Sequence, residues 1–132
     1  MVHRRATLLD VKELLKKMLG VPMVIEQGTS GIWTYRKWSD GTAECWGHWQ
    51  TGAFAGTLVN GWYCRVHGPI AFPAGLFAAT PYVNFSLTYW NTGYFWGGVR
   101  TVSKDQFSIH TVNNSAGSSG AAGDFYAIGR WK

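Results

Sequence analysis

The spacing of apolar residues changes once along this chain, at Gly20 to Pro22, and that change constrains the fold most. Before it, apolar side chains recur every three or four positions, as in an amphipathic helix. After it, short alternating runs are separated by Gly, Asn, Asp and Ser turns, which is typical of an antiparallel sandwich or barrel. We therefore predict a mainly β chain: an antiparallel β-sandwich head domain, 23–132, preceded by a short N-terminal α-helix within 1–22.

The predicted helix covers 7–19, with Thr7 as its N-cap and Asp10 in a capping-box-like position. Four of its apolar residues follow the spacing of a heptad seam. They are Leu8, Val11, Leu15 and Met18. A helix of about 13 residues is marginal by itself. The sequence leaves two alternatives open, an ordinary amphipathic helix packed on its own domain or a trimeric coiled-coil stalk.

Eight segments have the alternation or composition of strands. They are 23–27, 32–38, 42–50, 57–68, 82–90, 94–102, 106–113 and 124–132. The stretch 69–77 contains Pro69 and Pro73, which favours an edge strand or a loop that enters the sheet late. We predict loops over 28–31 and over the Gly- and Ser-rich stretch 114–123.

Alternation also predicts which side chains face the core, because successive residues of a strand point to opposite sides. The residues expected on the inner faces are Ala43, Cys45, Gly47, Val83, Phe85, Leu87, Tyr89, Phe107 and Ile109. In 32–38, Trp33 and Tyr35 share one face, and Thr34 and Arg36 share the other. Two sheets with one layer of side chains between them fit this pattern.

The chain is rich in aromatic residues, with eight Trp, six Tyr and seven Phe, and these exceed its charged residues. So many large side chains cannot all be buried in one domain of 132 residues. Large exposed apolar patches usually mark interaction sites, and Trp and Tyr combine an apolar body with a polar tip. We therefore predict a subunit interface, a glycan site, or both.

Charge and hydropathy exclude several classes of protein. The net charge is +5, but much of the basic excess lies within 1–19, whereas a nucleic-acid binder places a basic stripe on its folded body. No apolar run is long enough for membrane insertion, and Asp10, Lys12 and Glu13 interrupt any signal peptide. We predict synthesis in a cytoplasm, where Cys45 and Cys64 are expected to be thiols; a disulfide formed later stays open.

A search for catalytic or metal-binding residues finds no constellation. Glu26 and Glu44 are the carboxylates on predicted strands of the body, and a glycosidase needs two held across a cleft. The histidines are not spaced as a metal-binding pair; they are His3, His48, His67 and His110. We predict no enzymatic activity, no cofactor and no bound metal.

Three segments carry a resemblance to a known family. The most specific is IEQGTSGIWTYRKWSDGTAECWG (25–47), followed by PIAFPAGLF (69–77) and the terminal AIGRWK (127–132). Over about 24–132 the chain resembles the C-terminal receptor-binding head of phage and prophage tail fibres and is similar to the gp53-like tail fibre C-terminal domain. The residues of the motif are Trp33, Tyr35, Arg36, Lys37, Trp38, Glu44, Cys45, Trp46, Gly129, Arg130 and Trp131.

The resemblance implies a sandwich similar to an H-type lectin, at the far end of a homotrimeric fibre whose stalk ends in the predicted helix. It implies a virion protein, made in the host bacterium, that binds a surface glycan or other receptor without catalysis. The candidate ligand residues are Trp90, Asn91, Tyr94 and Trp96, with 48–54 and 113–123 as further candidates. The main alternative is a stand-alone lectin-like carbohydrate-binding module; a polysaccharide depolymerase and a trimerisation cap without a ligand are the others.

Overall fold

The computed structural model describes residues 8–90, 94–115 and 120–132. Within them the chain is mainly β with one short helix, as predicted. The elements are α1 Leu8–Leu19, β1 Val24–Ser30, β2 Trp33–Trp38, β3 Thr42–Gln50, β4 Thr57–Val59, β5 Trp62–Ala71, β6 Tyr82–Trp90, β7 Phe95–Val102, β8 Gln106–Asn113 and β9 Ala121–Arg130. In this described part, no helix has the length and apolar character needed to cross a bilayer.

The strands form two antiparallel sheets. The larger sheet has the order β1-β2-β3-β9-β6, and the smaller has the order β4-β5-β8-β7. Side chains from both sheets form one buried cluster between them. The prediction of a sandwich-like antiparallel architecture is therefore confirmed.

Aromatic side chains fill this core. The Trp33 ring lies 5.9 Å from the Phe125 ring and 6.1 Å from the Phe107 ring. Its indole N–H donates to the carbonyl oxygen of Ala71 at 2.8 Å, so the one polar atom of the buried side chain has a partner. Trp33 and Phe125 belong to the larger sheet and Phe107 to the smaller one, so these contacts hold the sheets together. Burial of each phenyl ring contributes about 2 kcal/mol.

Seven of the nine residues predicted on the inner faces are confirmed, Gly47 is half-buried, and Tyr89 is the exception. The residues that are buried or packed against the core are Ala43, Cys45, Val83, Phe85, Leu87, Phe107 and Ile109. Tyr89, by contrast, is 56% exposed. A β-bulge between Leu87 and Tyr89 interrupts the register with β9. An extra residue at a bulge turns the following side chain to the opposite face, and the sequence does not reveal where a bulge lies.

The predicted loop 28–31 is mostly strand. β1 continues to Ser30, which pairs with Trp33 on β2. The connection is therefore a two-residue turn, in which Gly31 has a φ of +58°. Gly adopts this left-handed conformation without steric cost. The prediction was wrong because the Gly, Thr and Ser composition of the segment suggested a longer loop.

The predicted strand 57–68 is a hairpin, formed by β4 and the start of β5. The chain turns at Asn60 and Gly61, whose φ values are +51° and +84°. Asn-Gly is the preferred sequence of such tight hairpin turns, so the signal for this turn was present in the sequence.

The stretch 69–77 divides into strand and loop. β5 continues past Pro69 to Ala71, with a register shift between His67 and Ile70. β4 pairs only with the first three residues of β5. Near Pro69, β5 therefore has a β partner on one side only, which is where a strand tolerates proline. Residues 72–77 form a loop that packs into the core.

The last strand starts and ends earlier than the predicted 124–132. β9 begins at Ala121, within the predicted loop 114–123, of which 116–119 lie outside the described residues. After Arg130 the chain leaves the strand, and the Trp131 indole N–H donates to the carbonyl oxygen of Trp38 at 2.9 Å. This bond anchors the C-terminus beside the β2–β3 turn.

The helix stands apart from the sheets. Within the described residues, α1 contacts none of the strands. Three seam residues are exposed: Val11 by 42%, Leu15 by 51% and Met18 by 50%. The side chain of the fourth, Leu8, and the predicted N-cap, Thr7, lie outside the described residues. Of the two alternatives, packing of the helix on its own domain is therefore not seen among the described residues.

Candidate binding surfaces

The outer face of the larger sheet carries a group of aromatic and charged side chains. Antiparallel register places Arg36 of β2 beside Glu44 of β3, and Trp46 of β3 beside Tyr126 of β9. Trp38 lies two residues after Arg36 and so shares its face. These five residues, called the Glu44 cluster below, lie on the face of the sheet opposite the core.

Glu44 is the centre of the cluster and is only 7% exposed. Its Oε1 atom accepts hydrogen bonds from Arg36 Nε at 2.7 Å and from Trp38 Nε1 at 3.4 Å, and Arg36 Nη2 lies 2.6 Å away. Its Oε2 atom accepts from the Tyr126 hydroxyl at 2.5 Å. A carboxylate removed from water needs such partners to remain charged.

These contacts shift the pKa of both acidic groups. Burial of Glu44 opposes its charged form, but the hydrogen bonds from Tyr126, Arg36 and Trp38 outweigh burial and hold its pKa below the ordinary 4.5. For Tyr126, burial and the hydrogen bond to Glu44 raise the pKa to about 12. At neutral pH the cluster therefore holds a carboxylate, a guanidinium and a neutral phenol.

Two indole rings flank the guanidinium of Arg36. The Arg36 Cζ atom lies 5.3 Å from the centroid of the Trp38 ring and 4.9 Å from that of Trp46. Both distances fall within the range of cation–π attraction. Because Glu44 also holds the guanidinium, the charges are paired locally and the two rings are fixed in place.

A shallow depression of about 330 Å³, called the Trp46 groove below, opens beside this cluster. It lies along β1, β2 and β3 and is lined by Gln27, Gly28, Thr29, Thr34, Arg36 and Trp46. The groove thus combines one indole ring with an amide and two hydroxyl groups. Amides and hydroxyls each donate and accept hydrogen bonds.

The two strand-borne carboxylates do not face one cleft. Glu26 lies opposite Lys37 across β1 and β2, and its Oε2 atom is 3.0 Å from Lys37 Nζ. Glu44 lies opposite Arg36, the neighbouring residue of β2, so it points to the other face of the sheet. A glycosidase mechanism that uses these two carboxylates together is therefore excluded by geometry.

Two of the predicted ligand residues, Tyr94 and Trp96, lie at the end of the sandwich away from the point where the chain enters β1. Tyr94 is 78% exposed and Trp96 is 48% exposed. The Trp96 ring lies 4.7 Å from the Trp62 ring, edge to face. Trp90 is the last residue of β6, its side chain lies outside the described part, and Asn91 lies wholly outside it.

The other two candidate segments meet the same end. The Tyr94 N–H donates to Asn114 Oδ1 at 3.0 Å, which joins the start of β7 to the predicted loop 113–123. The Thr51 N–H donates to the carbonyl oxygen of Ala121 at 2.8 Å, which joins 48–54 to the start of β9. The structure therefore brings the described parts of these segments together at one end of the sandwich.

His67 lies on β5, between two aromatic rings. Its ring is 5.0 Å from that of Trp49 and 4.7 Å from that of Phe54, and its Nε2 atom is 3.0 Å from Thr111 Oγ1. Burial, with a smaller contribution from the positive charge of Arg65, lowers the pKa of His67 to about 4. The imidazole is therefore a neutral packing group at neutral pH.

Ten of the eleven motif residues lie on the two faces of the larger sheet, and Trp131 follows β9 and packs against the core. The core side holds Trp33, Tyr35, Lys37, Cys45 and Gly129, and the outer side holds Arg36, Trp38, Glu44, Trp46 and Arg130. Sequence reasoning missed Tyr126 of the cluster and Gln27 and Thr29 of the groove. Alternation predicts the face of Thr34 and Arg36, but no local signal shows that β9 and β1 contribute side chains beside them.

Both cysteines are free thiols, as predicted. Cys45 is buried, and burial together with the negative charge of Glu44 raises the pKa of its thiol to about 12. Cys64 is half-buried on β5. Among the described residues, no three His, Cys, Asp or Glu side chains are grouped as metal ligands.

The fold is a sandwich-like β domain, and it is similar to the folds of solved tail fibre structures. The structure is similar to that of an N-truncated R1-type pyocin tail fibre, with a TM-score of 0.60 and 13% identity over 95% of this chain and 98% of that one. It is also similar to the C-terminal part of the P. aeruginosa R1 pyocin fibre, with a TM-score of 0.56 and 15% identity over 95% of this chain and 32% of that one. No protein-family model and no curated protein matches the sequence, so the gp53-like and H-type lectin resemblances stay predictions.

Proposed function

We propose that this chain is the tip of a phage-type tail fibre, a homotrimer in the virion or a virion-like particle that attaches to a bacterial surface without catalysis. The observation that carries the proposal is the likeness to a pyocin tail fibre, which covers nearly all of both chains. The attachment role and the trimer are inferences from that likeness and from the surfaces described above.

The exposed helix supports the trimer. Val11, Leu15 and Met18 present apolar side chains to solvent, and no strand in the described part of the chain covers them. Two further copies of α1 would bury this seam in a three-stranded coiled coil. Three identical heads on one stalk would also bind a surface with an avidity roughly 10²–10⁴ above that of one head.

The aromatic surfaces support attachment to a glycan or another surface receptor. Tyr94 and Trp96 are exposed at the end away from the helix connection, where a fibre tip would meet its target. Large amphipathic rings of this kind are enriched at recognition surfaces. Their exposure is what the proposed role requires.

The test is the mass of the protein in solution, measured by light scattering after size exclusion. We expect three chains of 14.7 kDa each. Leu15→Glu places a charge in the seam and should give monomers, whereas Lys17→Glu, off the seam, should leave the trimer intact. A monomeric wild-type protein would contradict the fibre-tip proposal and favour the stand-alone lectin-like module.

Attachment is tested separately with labelled protein on a panel of bacterial strains. The trimer should bind at least one strain and the Leu15→Glu monomer should bind it much more weakly, since avidity is lost. A trimer that binds no strain would favour a trimerisation cap without a ligand.

A further inference from the structure

We propose that the Trp46 groove binds a neutral pyranose sugar, with the sugar ring stacked against the Trp46 indole and its hydroxyl groups bonded to Gln27, Thr29 and Thr34. The inference rests on the proposed attachment role and names a site and a ligand class for it. It places the site on the outer face of the larger sheet, not among the aromatic residues at the end of the sandwich.

The chemistry of the lining selects a polyhydroxylated ligand. Gln27 supplies an amide, and Thr29 and Thr34 supply hydroxyl groups, from two adjacent strands. Each of these groups donates and accepts, as do the hydroxyls of a sugar. Gln27 and Thr29 are exposed on β1, so a ligand reaches them without any movement of the sheet.

The positive charge in the lining of the groove is balanced by a carboxylate of the protein itself. Arg36 is the charged residue in its lining, and its guanidinium is bonded to Glu44. Because Glu44 already balances the positive charge of Arg36, the lining offers a ligand carboxylate little net attraction, whereas a neutral sugar needs none. Local pairing therefore favours an uncharged pyranose over an acidic one.

The Glu44 cluster fixes the ring against which the sugar would stack. Arg36 is bonded to Glu44 and lies against the rings of both Trp38 and Trp46. A side chain fixed before binding loses less conformational entropy when the ligand arrives, which favours affinity. Arg36 covers one face of the Trp46 ring, so the apolar C–H face of a pyranose would stack on the opposite face.

The experiment is saturation-transfer difference NMR with the intact protein and a panel of methyl pyranosides, each at millimolar concentration. The panel holds the neutral glucoside, galactoside, mannoside, rhamnoside and N-acetylglucosaminide, and the acidic glucuronide. We expect transfer to the C–H protons of at least one of them. Trp46→Ala should abolish it, since the stacking surface is lost, and Gln27→Ala should weaken affinity by about two- to tenfold, as for one net hydrogen bond. Gln27 is exposed on an edge strand, so its variant remains informative even if Trp46→Ala impairs folding.

Tyr82→Ala is the matched control. Tyr82 is an aromatic residue of the same outer face, 85% exposed and located on β6 at the far edge of the sheet. Its removal should leave the transfer unchanged. Absence of transfer to every pyranoside, or transfer that survives Trp46→Ala in a folded protein, would overturn the groove assignment. Stronger transfer to methyl glucuronide than to the glucoside would overturn the preference for neutral sugars.

Failure of the groove and failure of the attachment role give different results. Adhesion to bacteria without saturation transfer overturns the groove and leaves the attachment role in place. Saturation transfer that depends on Trp46, in a protein that adheres to no strain, supports the groove and contradicts the attachment role.

Discussion

Glu44 and Glu26 both pair with a cation of β2, but on opposite faces of the sheet. Glu44 meets Arg36 on the outer face, and Glu26 meets Lys37 on the core side. The side chain of Glu44 is 9% exposed and also accepts bonds from Trp38 and Tyr126, whereas that of Glu26 is 49% exposed. Two ion pairs one residue apart along β2 are therefore in very different surroundings.

The position of each strand in the sheet explains the difference. β3 lies at the centre of the larger sheet, so Glu44 receives donors from β2 on one side and from β9 on the other. β1 is an edge strand with a neighbour on one side only, and Glu26 on it is open to water. Breaking a buried ion pair costs several kcal/mol, whereas an exposed pair contributes little.

The largest expected effect follows removal of the central carboxylate. Glu44→Ala leaves Arg36, Trp38 and the Tyr126 hydroxyl without their acceptor. Because the Arg36 side chain is 38% exposed and can be hydrated in the variant, the free energy of unfolding should fall by about 2 kcal/mol. Urea denaturation followed by tryptophan fluorescence measures it. A loss below about 1 kcal/mol would show that the cluster is no more than a surface ion pair and would remove the contrast with Glu26.

The pH dependence of the free energy of unfolding should also reflect the hydrogen bonds that Glu44 accepts. The folded-state pKa of Glu44 is lower than its ordinary 4.5, so its contribution is complete above that pH and is lost as the pH falls through the folded-state value. Urea midpoints measured between neutral pH and acid should therefore decline less steeply in Glu44→Gln than in the wild type. If the midpoints of the wild type and of Glu44→Gln declined in parallel, the pKa of Glu44 would be the same in the folded and unfolded states.

A smaller effect is expected for the hydrogen bond from β9. Tyr126→Phe removes the hydroxyl that donates to Glu44 Oε2 and should cost about 1 kcal/mol, because one hydrogen bond is lost at a partly exposed site. Tyr82→Phe is the control, since that tyrosine is 85% exposed. Equal losses of unfolding free energy in the two variants would show that the hydrogen bond from Tyr126 to Glu44 does not stabilise the cluster.

The fold was predictable where side chains alternate without interruption. The segments 42–50, 82–90 and 106–113 have their predicted bounds, because one buried face per strand fixes the pattern. The segment 57–68 was misread because β4 and β5 have similar apolar character, and only the Asn60-Gly61 turn separates them. No residue pattern in the sequence predicts the bulge before Tyr89.

The candidate site was predictable only in part. Trp38, Glu44 and Trp46 stood out in the motif, and alternation gave the face of Arg36. Their assembly around Glu44 depends on register, and the Tyr126 hydroxyl comes from a residue 82 positions away. Sequence distance of that kind hides a contact, because every strand of the smaller sheet lies between β3 and β9 along the chain.

The smallest expected effect is that of Glu26→Ala. Its ion pair with Lys37 is exposed to water, which weakens the Coulomb attraction, and exposed pairs contribute about 0–1 kcal/mol. Lys37 Nζ also lies 5.7 Å from the centroid of the Trp131 ring and keeps that contact in the variant. We therefore expect a change in the free energy of unfolding within about 0.5 kcal/mol, and less still at high salt, where screening already removes the attraction. A loss approaching that of Glu44→Ala would show that the edge of the sheet is covered in solution, by a second copy of the chain for example, since only exclusion of water makes such a pair costly to break.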